Sequence, residues 1–358
     1  MRVLVAMSGG VDSSVAAARL VREGHEVVGV TLHLWDYPDD GSVKGRCCAP
    51  EDVHDARRVA DVLGIAHYAF DRRERFLRTV VEPFVDEYVA GATPSPCVSC
   101  NRGVKMHELM RLRERLGAAA VATGHYARIV PEAGKTRLYR GRDPSKDQSY
   151  FLHMLPVAVL ERLTLPLGES TKVEVRAEAE AMGLPGAGKG ESQELCFVAS
   201  GHYADFVAGR AADRIRPGPI VDGGGDEVGR HSGVHGFTVG QRRNIGVAIG
   251  HRAYVVGIDA ETATVRLGAR DELLATGAVV APATLADDVT LPVECEVAVR
   301  YRAIPVPALV TARAEGGLEI SFREAVYAVV KGQYAVMYRG DRVLGGGLIC
   351  APLHGGAA

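Results

Sequence analysis

No stretch of this 358-residue chain approaches the roughly 18 consecutive apolar residues that a membrane-crossing helix needs. Its start, MRVLVAMSGG, offers one Arg and five apolar residues before glycines, too little for a secretory leader. A cytoplasmic protein with no membrane partner is expected. Cysteine is scarce: seven residues, an odd number, at Cys47, Cys48, Cys97, Cys100, Cys196, Cys295 and Cys350. That excludes the disulfide framework of a small secreted domain and suggests that some of the thiols are chemical. Charge excess is lacking too, since the formal net charge is −2. A generic polyanion binder is excluded, although the distribution of charge decides nucleic-acid binding more than its total. Only seven of the 42 basic residues are Lys, and Arg is the side chain that grips phosphates bidentately. There are no internal repeats, and no low-complexity tract beyond the terminal Gly-Gly-Ala-Ala.

The composition, 47% hydrophobic and 24% charged, is that of a globular protein with room for two or three domains. Arg2–Met7 reads as a buried strand, Ser13–Glu23 as a helix ended by Gly24, and Glu26–Leu34 as a second strand. Pro50–Leu63 reads as a helix, His67–Phe70 as a strand, Arg73–Ala90 as a helix interrupted at Pro83, Val104–Leu116 as a helix and Ala120–Thr123 as a strand. This alternation predicts an α/β fold with a doubly wound parallel sheet over residues 1–155. Residues 156–215 predict a small helical central domain, with helices at Lys172–Met182 and His202–Ala212 around the loop GLPGAGKG. From residue 216 to 358 short β-branched runs, Ala253–Ile258, Thr264–Leu267, Val293–Arg300 and Gln333–Tyr338, predict an antiparallel β-barrel.

Ser8-Gly9-Gly10-Val11-Asp12-Ser13-Ser14 lies between the first strand and the first helix, where a parallel sheet opens a ligand crevice. Two glycines let the backbone approach phosphate, the hydroxyls add donors, and the helix N-terminus adds partial positive charge. Asp12 would repel bare phosphate, so its expected role is to hold Mg2+ on a nucleotide. No Lys stands in this loop, which disfavours a Walker-type kinase or GTPase.

SGGVDSS resembles the PP-loop of ATP pyrophosphatases. Together with TPSPCVSCNRGVKM, ATGHYAR, KDQSYFL, SQELCFV, TVGQRRNIG and RYR, in that order, it makes the chain similar nearly end to end to the bacterial tRNA-specific 2-thiouridylase family. The resemblance implies a PP-loop domain, a central domain and a C-terminal tRNA-binding barrel. It implies ATP as substrate, the wobble uridine of tRNAs for Glu, Gln and Lys as target, and a sulfur donor such as a cysteine desulfurase or sulfur relay protein. By the same resemblance, Ala6, Met7, Ser8, Gly9, Gly10, Val11, Asp12, Ser13, Leu32 and Gly124 contact the nucleotide. Ser95, Pro96 and Cys97 lie near the target base, and Lys146, Asp147, Gln148, Arg300 and Tyr301 contact tRNA.

Replacing the 2-oxygen of uridine requires adenylating it and then displacing AMP with sulfur, for which a persulfide plus a second thiol is suited. Cys196 matches the family's persulfide carrier and Cys100 its partner thiol. Cys100 precedes the helix beginning near Val104, whose N-terminus would lower its thiol pKa. Many members carry Asp three residues before the first catalytic Cys, and this chain has Cys97. Cys97, Cys100 and Cys196 could therefore hold a [4Fe-4S] cluster instead, or zinc with a fourth ligand from Cys47, Cys48 or His107. Cys47, Cys48, Cys295 and Cys350 read as structural. His125 reads equally as a pocket residue or a structural one. Gln241-Arg242-Arg243-Asn244 and Arg214-Ile215-Arg216 are further candidate phosphate contacts, and Trp35 and Tyr126 candidate stacking partners for an extruded base. Two other readings remain open: an amide-forming PP-loop synthetase, which leaves the cysteines without purpose, and a non-catalytic tRNA-binding or iron–sulfur carrier, which needs no intact nucleotide loop.

Overall fold

The structure is a computed structural model that describes residues 1–36, 50–186, 195–198, 203–247 and 250–355. Cys47, Cys48 and residues 187–190 of the GLPGAGKG loop fall outside the described residues. The chain forms two compact units. The first comprises Met1–Val81, Cys97–Ser200 and Asp341–Val343, the second Glu82–Pro96, Gly201–Gly340 and Leu344–Ala358.

In the first unit, β1 (Arg2–Ala6), β2 (Glu26–His33), β3 (Ala66–Asp71), β4 (Ala120–Ala122), β5 (Ala127–Glu132), β6 (Lys135–Arg140) and β7 (Leu163–Thr164) follow in chain order. The main sheet runs β3-β2-β1-β4-β7 with every pairing parallel, as the alternating pattern predicts. Val3, Leu4 and Val5 are fully buried, which is why β1 reads as an unbroken apolar run. The helices Val11–Arg22, Pro50–Leu63 and Lys172–Ala181 pack with it into one core through Val15, Ala56, Val59, Val175 and Ala179. Gly24, with φ +79, closes the first of these helices in the left-handed conformation that lets it stop.

The segment expected as one interrupted helix is Arg73–Phe76, a π-helical turn at Leu77–Val81, then Glu82–Val89. Pro83 has no N–H to give the turn before it, and the wider π-turn accommodates that loss. A second π-turn, Asn101–Met106, joins Pro96–Cys100 to His107–Arg115. The β5–β6 hairpin was not anticipated. Its two-residue turn is Ala133-Gly134, with φ +49 and +75, and Ala there hides the Asn-Gly or Asp-Gly signal such turns usually carry.

The second unit holds two β structures where one barrel was expected. β8 (Gly218–Val221), β9 (Glu227–His231), β10 (Tyr254–Asp259) and β11 (Thr264–Gly268) form a small sheet in the order β10-β11-β8-β9. Ile220, Val255, Val265 and Leu267 build its own core. β12 (Leu274–Leu285), β13 (Val293–Ala298), β14 (Val306–Ala312), β15 (Leu318–Tyr327), β16 (Tyr334–Arg339) and β17 (Arg342–Leu353) follow. They run in the order β12-β15-β14-β13-β16-β17, and pairing of β12 with β17 closes the barrel and removes its edges. Among the described residues no helix is long and apolar enough to cross a membrane.

Candidate nucleotide and thiol site

The loop after β1 is shaped by what cannot fit there. A Cβ on Gly9, which has φ +72, would lie 2.3 Å from the Asp52 carbonyl oxygen, and one on Gly124 would lie 2.8 Å from the Ser13 nitrogen. Gly124 therefore lets the turn after β4 rest directly on the first turn of the helix Val11–Arg22, and Gly9 lets the loop rest on the backbone of the helix Pro50–Leu63. The first-turn amides of this helix have no intrahelical acceptor, so the crevice presents N–H groups suited to an anion.

The hydroxyls expected to face a phosphate are turned inward. Ser13 and Ser14 donate to the Gly10 carbonyl at 2.9 and 3.0 Å, and Ser13 Oγ accepts from the Ser8 amide at 3.1 Å. They fix the loop's shape. Met7 is buried in the core, and its carbonyl accepts from Thr31 Oγ1 at 2.8 Å. Leu32 is buried at the carboxyl end of β2, and Ala6 ends β1.

Asp12 is the electrostatic centre of the crevice. Both of its oxygens accept from Lys172 Nζ at 2.7 Å, and the Tyr126 hydroxyl donates to Oδ1 at 2.7 Å. Lys172 arrives from 160 residues away because Thr171 and Glu174 form a reciprocal capping box that starts its helix at that point. The cation missing from the loop sequence is thus present in space. Sequence reading passed over it, although Thr171-x-x-Glu174 carries the signal for the helix start. Tyr126 is buried and committed to Asp12, so it is no stacking platform for a base. His125, beside it, is pushed down to about 3 by burial and by the charge of Lys105, and its Nδ1 lies 2.7 Å from Thr123 Oγ1. It is neutral at physiological pH.

The helix carrying Cys97 and Cys100 begins at Pro96, not near Val104. Cys100 is therefore one turn in and buried, and Cys97 stands exposed in the first turn, so the thiol expected at a helix N-terminus is not the one there. Pro at the first helical position was the overlooked signal. Asn101 donates to the Cys97 carbonyl at 3.0 Å, while its buried Oδ1 has no partner among the described residues. Arg75 Nε donates to the Gly103 carbonyl at 3.0 Å and Arg75 also pairs with Glu108 at 3.3 Å. Burial pushes the Glu108 carboxyl up, but the hydrogen bond and charge of Arg72 and the charges of Arg75 and Arg111 hold it below its ordinary value. This network ties the second π-turn and the helix after it to the helix Arg73–Phe76.

Cys196 is half-buried, and its neighbour Phe197 packs edge-on against Phe76 and Trp35 at 5.7 and 6.2 Å. Trp35 is thereby committed to packing as well. Phe76 leads into the π-turn whose Thr79 meets Gly103, so one stretch, Phe76–Thr79, braces the anchors of both Cys196 and Cys100. Among the described residues no three His, Cys, Asp or Glu side chains gather as a metal site. Cys97, Cys100 and Cys196 all lie in the first unit.

The expected tRNA residues fall in both units. In the first, Asp147 accepts from Gly141 and Ser149 amides at 3.0 Å each, and Gln148 Oε1 accepts from the Tyr126 amide at 2.9 Å, so both side chains hold the turn behind Tyr126, next to half-buried Lys146. Ser95 and Pro96 end the Glu82–Pro96 segment of the second unit, which also carries Arg300 and Tyr301 after β13. Arg214 pairs with Asp86, and Arg216 donates to the carbonyls of Ala260 and Glu261, so both are occupied. In the barrel, burial pushes the Cys295 thiol up to about 11, as befits a structural residue.

Sheet order, glycine-shaped loop and helix terminus together define a HUP-domain protein. Family models agree: the tRNA methyl transferase HUP domain matches residues 1–200, its PRC-barrel domain 204–269, and an aminomethyltransferase β-barrel domain 258–349. The chain is 64% identical to a tRNA-specific 2-thiouridylase MnmA of Sorangium cellulosum, over 100% of this chain and 94% of that one. It is 48% identical to proteins of the same name from Geobacter metallireducens (99% and 98% covered) and Chloroflexus aggregans (98% and 98%). The chain belongs to the tRNA-specific 2-thiouridylase MnmA family.

Proposed function

We propose that this protein is a tRNA sulfurtransferase that adenylates the 2-oxygen of a wobble uridine with ATP and replaces it with sulfur. The observation that carries the reading is the Lys172–Asp12–Tyr126 cluster at the phosphate-shaped loop of a chain whose full-length relatives are named 2-thiouridylases. The HUP domain binds ATP, the substrate that supplies the adenylyl group. The helix N-terminus at Val11–Ser13 and the backbone at Gly9 and Gly124 hold its phosphates, and Lys172 exchanges Asp12 for the leaving pyrophosphate. Asp12, once released, is the oxygen ligand available to Mg2+.

For the sulfur step we favour the persulfide route, which needs only two thiols, Cys196 and Cys100. The terminal sulfur of a Cys196 persulfide attacks C2 of the adenylated uridine and AMP leaves with the oxygen. The Cys100 thiolate then attacks the Cys196 sulfur, breaking the S–S bond. Its electron pair remains on the sulfur bound to C2, giving 2-thiouridine and a Cys100–Cys196 disulfide that an external dithiol reduces. The partners in this reading are the tRNAs for Glu, Gln and Lys and a persulfide donor such as a cysteine desulfurase or sulfur relay protein. The setting is the cytoplasm, and the second unit is the tRNA-binding part.

The test is tRNA thiolation with a persulfide donor, metal-free, by wild type, Cys97→Ser and Cys196→Ser, with nucleotide products followed in parallel. AMP and pyrophosphate are expected, with Cys97→Ser active and Cys196→Ser unable to insert sulfur. Stoichiometric ADP and phosphate would sink the adenylation step, and wild-type activity that needs iron–sulfide reconstitution and is lost in Cys97→Ser would sink the persulfide route.

A further inference from the structure

Where the Lys172 ammonium sits depends on where its helix starts, and the capping box alone does not fix that. Thr171 and Glu174 satisfy the first turn locally, but they travel with the helix. The outside hold comes from Asp143, a buried carboxylate in the turn after β6. Its Oδ2 accepts from the Lys172 amide at 3.0 Å, across 29 residues, while its Oδ1 accepts from the Ser145 amide at 3.0 Å and the Ser145 hydroxyl at 2.7 Å. Next to it, the Arg142 amide donates to the Gly168 carbonyl at 2.8 Å and the Arg142 side chain pairs with Glu174. Two consecutive residues thus grip the segment that leads into the Lys172 helix.

The same turn holds the other donor on Asp12. The Gln148 amide donates to the Tyr126 carbonyl at 2.8 Å, Gln148 Oε1 accepts from the Tyr126 amide at 2.9 Å, and a Cβ on Gly141 would lie 2.8 Å from the Tyr126 carbonyl oxygen. Residues 141–148 therefore bracket Tyr126 and Lys172, whose hydroxyl and ammonium meet on Asp12 Oδ1, each at 2.7 Å. The capping box already occupies two donors of the helix start, and an amide beside them needs only water for its hydrogen bond. What Asp143 adds, and water does not, is location. An anion at the first amide also lowers the cost of keeping Lys172 at the positive end of its own helix.

We propose that Asp143 is a positioning residue for the adenylation step, pinning the Lys172 backbone so that the ammonium passes from Asp12 to the leaving pyrophosphate by a movement of its side chain alone. The inference rests on the reading of Lys172 as the pyrophosphate ligand and names the residue that sets its place. Lys172 is a point charge on a flexible four-carbon stem, and the charge helps only where negative charge develops. A helix start that drifts by about 1 Å brings it to the wrong place, and misplacement on that scale costs up to about 100-fold in rate.

The experiment is pyrophosphate release by the full chain with ATP and a tRNA for Glu, read as kcat and as KM for each substrate. The variants are Asp143→Ala, Asp143→Ser, Asp143→Asn, Lys172→Met and Lys172→Met combined with Asp143→Ala, each with a thermal melt. Asp143→Ala should lower kcat by about 10- to 100-fold and leave both KM values within about threefold, because the lost placement matters where pyrophosphate leaves. Asp143→Asn, which keeps an acceptor for the Lys172 amide, should recover most of that loss. Added to Lys172→Met, Asp143→Ala should cost no more than about twofold further, since the group it places is gone. Asp143→Ser keeps a hydroxyl for the Ser145 amide but is too short to reach Lys172 as well, so it decides the matter with the same expectations if Asp143→Ala melts below the assay temperature. Wild-type kcat in the Ala or Ser variant would overturn the proposal, as would losses that multiply in the double variant or a loss seen only as a higher KM for tRNA, and each leaves the Lys172 reading intact. A wild-type rate in Lys172→Met would overturn both.

Discussion

Lys172 stands where helix electrostatics disfavours it, at the first position of Lys172–Ala181, beside the positive end of the peptide dipoles. What holds it is the two-oxygen contact with Asp12, and its side chain is only 9% exposed. A cation kept in so unfavourable a place, touching the loop's one carboxylate, is in the proposed function the phosphate ligand that the loop sequence lacks. Lys172→Met should lower tRNA-dependent pyrophosphate release by about 100- to 1000-fold, the usual cost of removing a preorganised charge from a transition state. Binding of tRNA should be unchanged. Single-turnover pyrophosphate release at saturating tRNA makes the measurement, and a variant that keeps the wild-type rate would reduce Lys172 to a structural counter-ion of Asp12.

Among the elements, the two π-turns stand out because they touch each other, and the second follows the short helix that carries Cys100. Gly103 is inside the second, and a Cβ there would lie 2.8 Å from Thr79 Cγ2 in the first. In an open helix Gly→Ala stabilises by about 0.5–1 kcal/mol. Here overpacking against a stiff β-branched side chain costs about 1–3 kcal/mol, so the contact decides the sign. Gly103→Ala should lower the melting temperature and slow thiolation by shifting the helix that carries Cys100. Adding Thr79→Ser, which deletes the methyl, should restore both, and a double variant no better than Gly103→Ala would show that the two turns are not coupled. The helices and central strands were legible because their apolar periods are regular: Pro50–Leu63 is found where its sequence predicts it, and β1 and β2 within a residue. The π-turns were not, since they are answers to Pro83 and to a neighbouring turn, neither of which has a period. The nucleotide loop was legible as a motif. Its cation was not, because contact across 160 residues is a property of packing.

For the molecule as a whole, the division of the β half into sheet and barrel escaped sequence reading because both are made of similar short strands, and only their separate cores distinguish them. The same burial that makes these cores has a consequence for acid stability. His153 is buried with Nδ1 2.7 Å from the Tyr150 carbonyl, and burial pushes it down to about 4. His125 is pushed down to about 3. Unfolded, both titrate near 6.5, so between that value and the folded ones the unfolded chain binds more protons than the native. The stabilising contribution is complete above about pH 6.5 and is lost as pH falls, at up to about 1.4 kcal/mol per pH unit for each histidine. The carboxylates held low, Glu108 and Glu178, lose their contribution only in the acid range of carboxylates, so the first loss on acidification belongs to the histidines. Urea unfolding followed by Trp35, the single tryptophan, which packs in the first unit, reports this directly. Its midpoint should fall between about pH 7 and pH 5 in wild type. His153→Gln, whose amide can still donate to the Tyr150 carbonyl, should make the accompanying fall in unfolding free energy shallower by up to about 1.4 kcal/mol per pH unit, and an unchanged slope would mean that His153 is not buried in its neutral form.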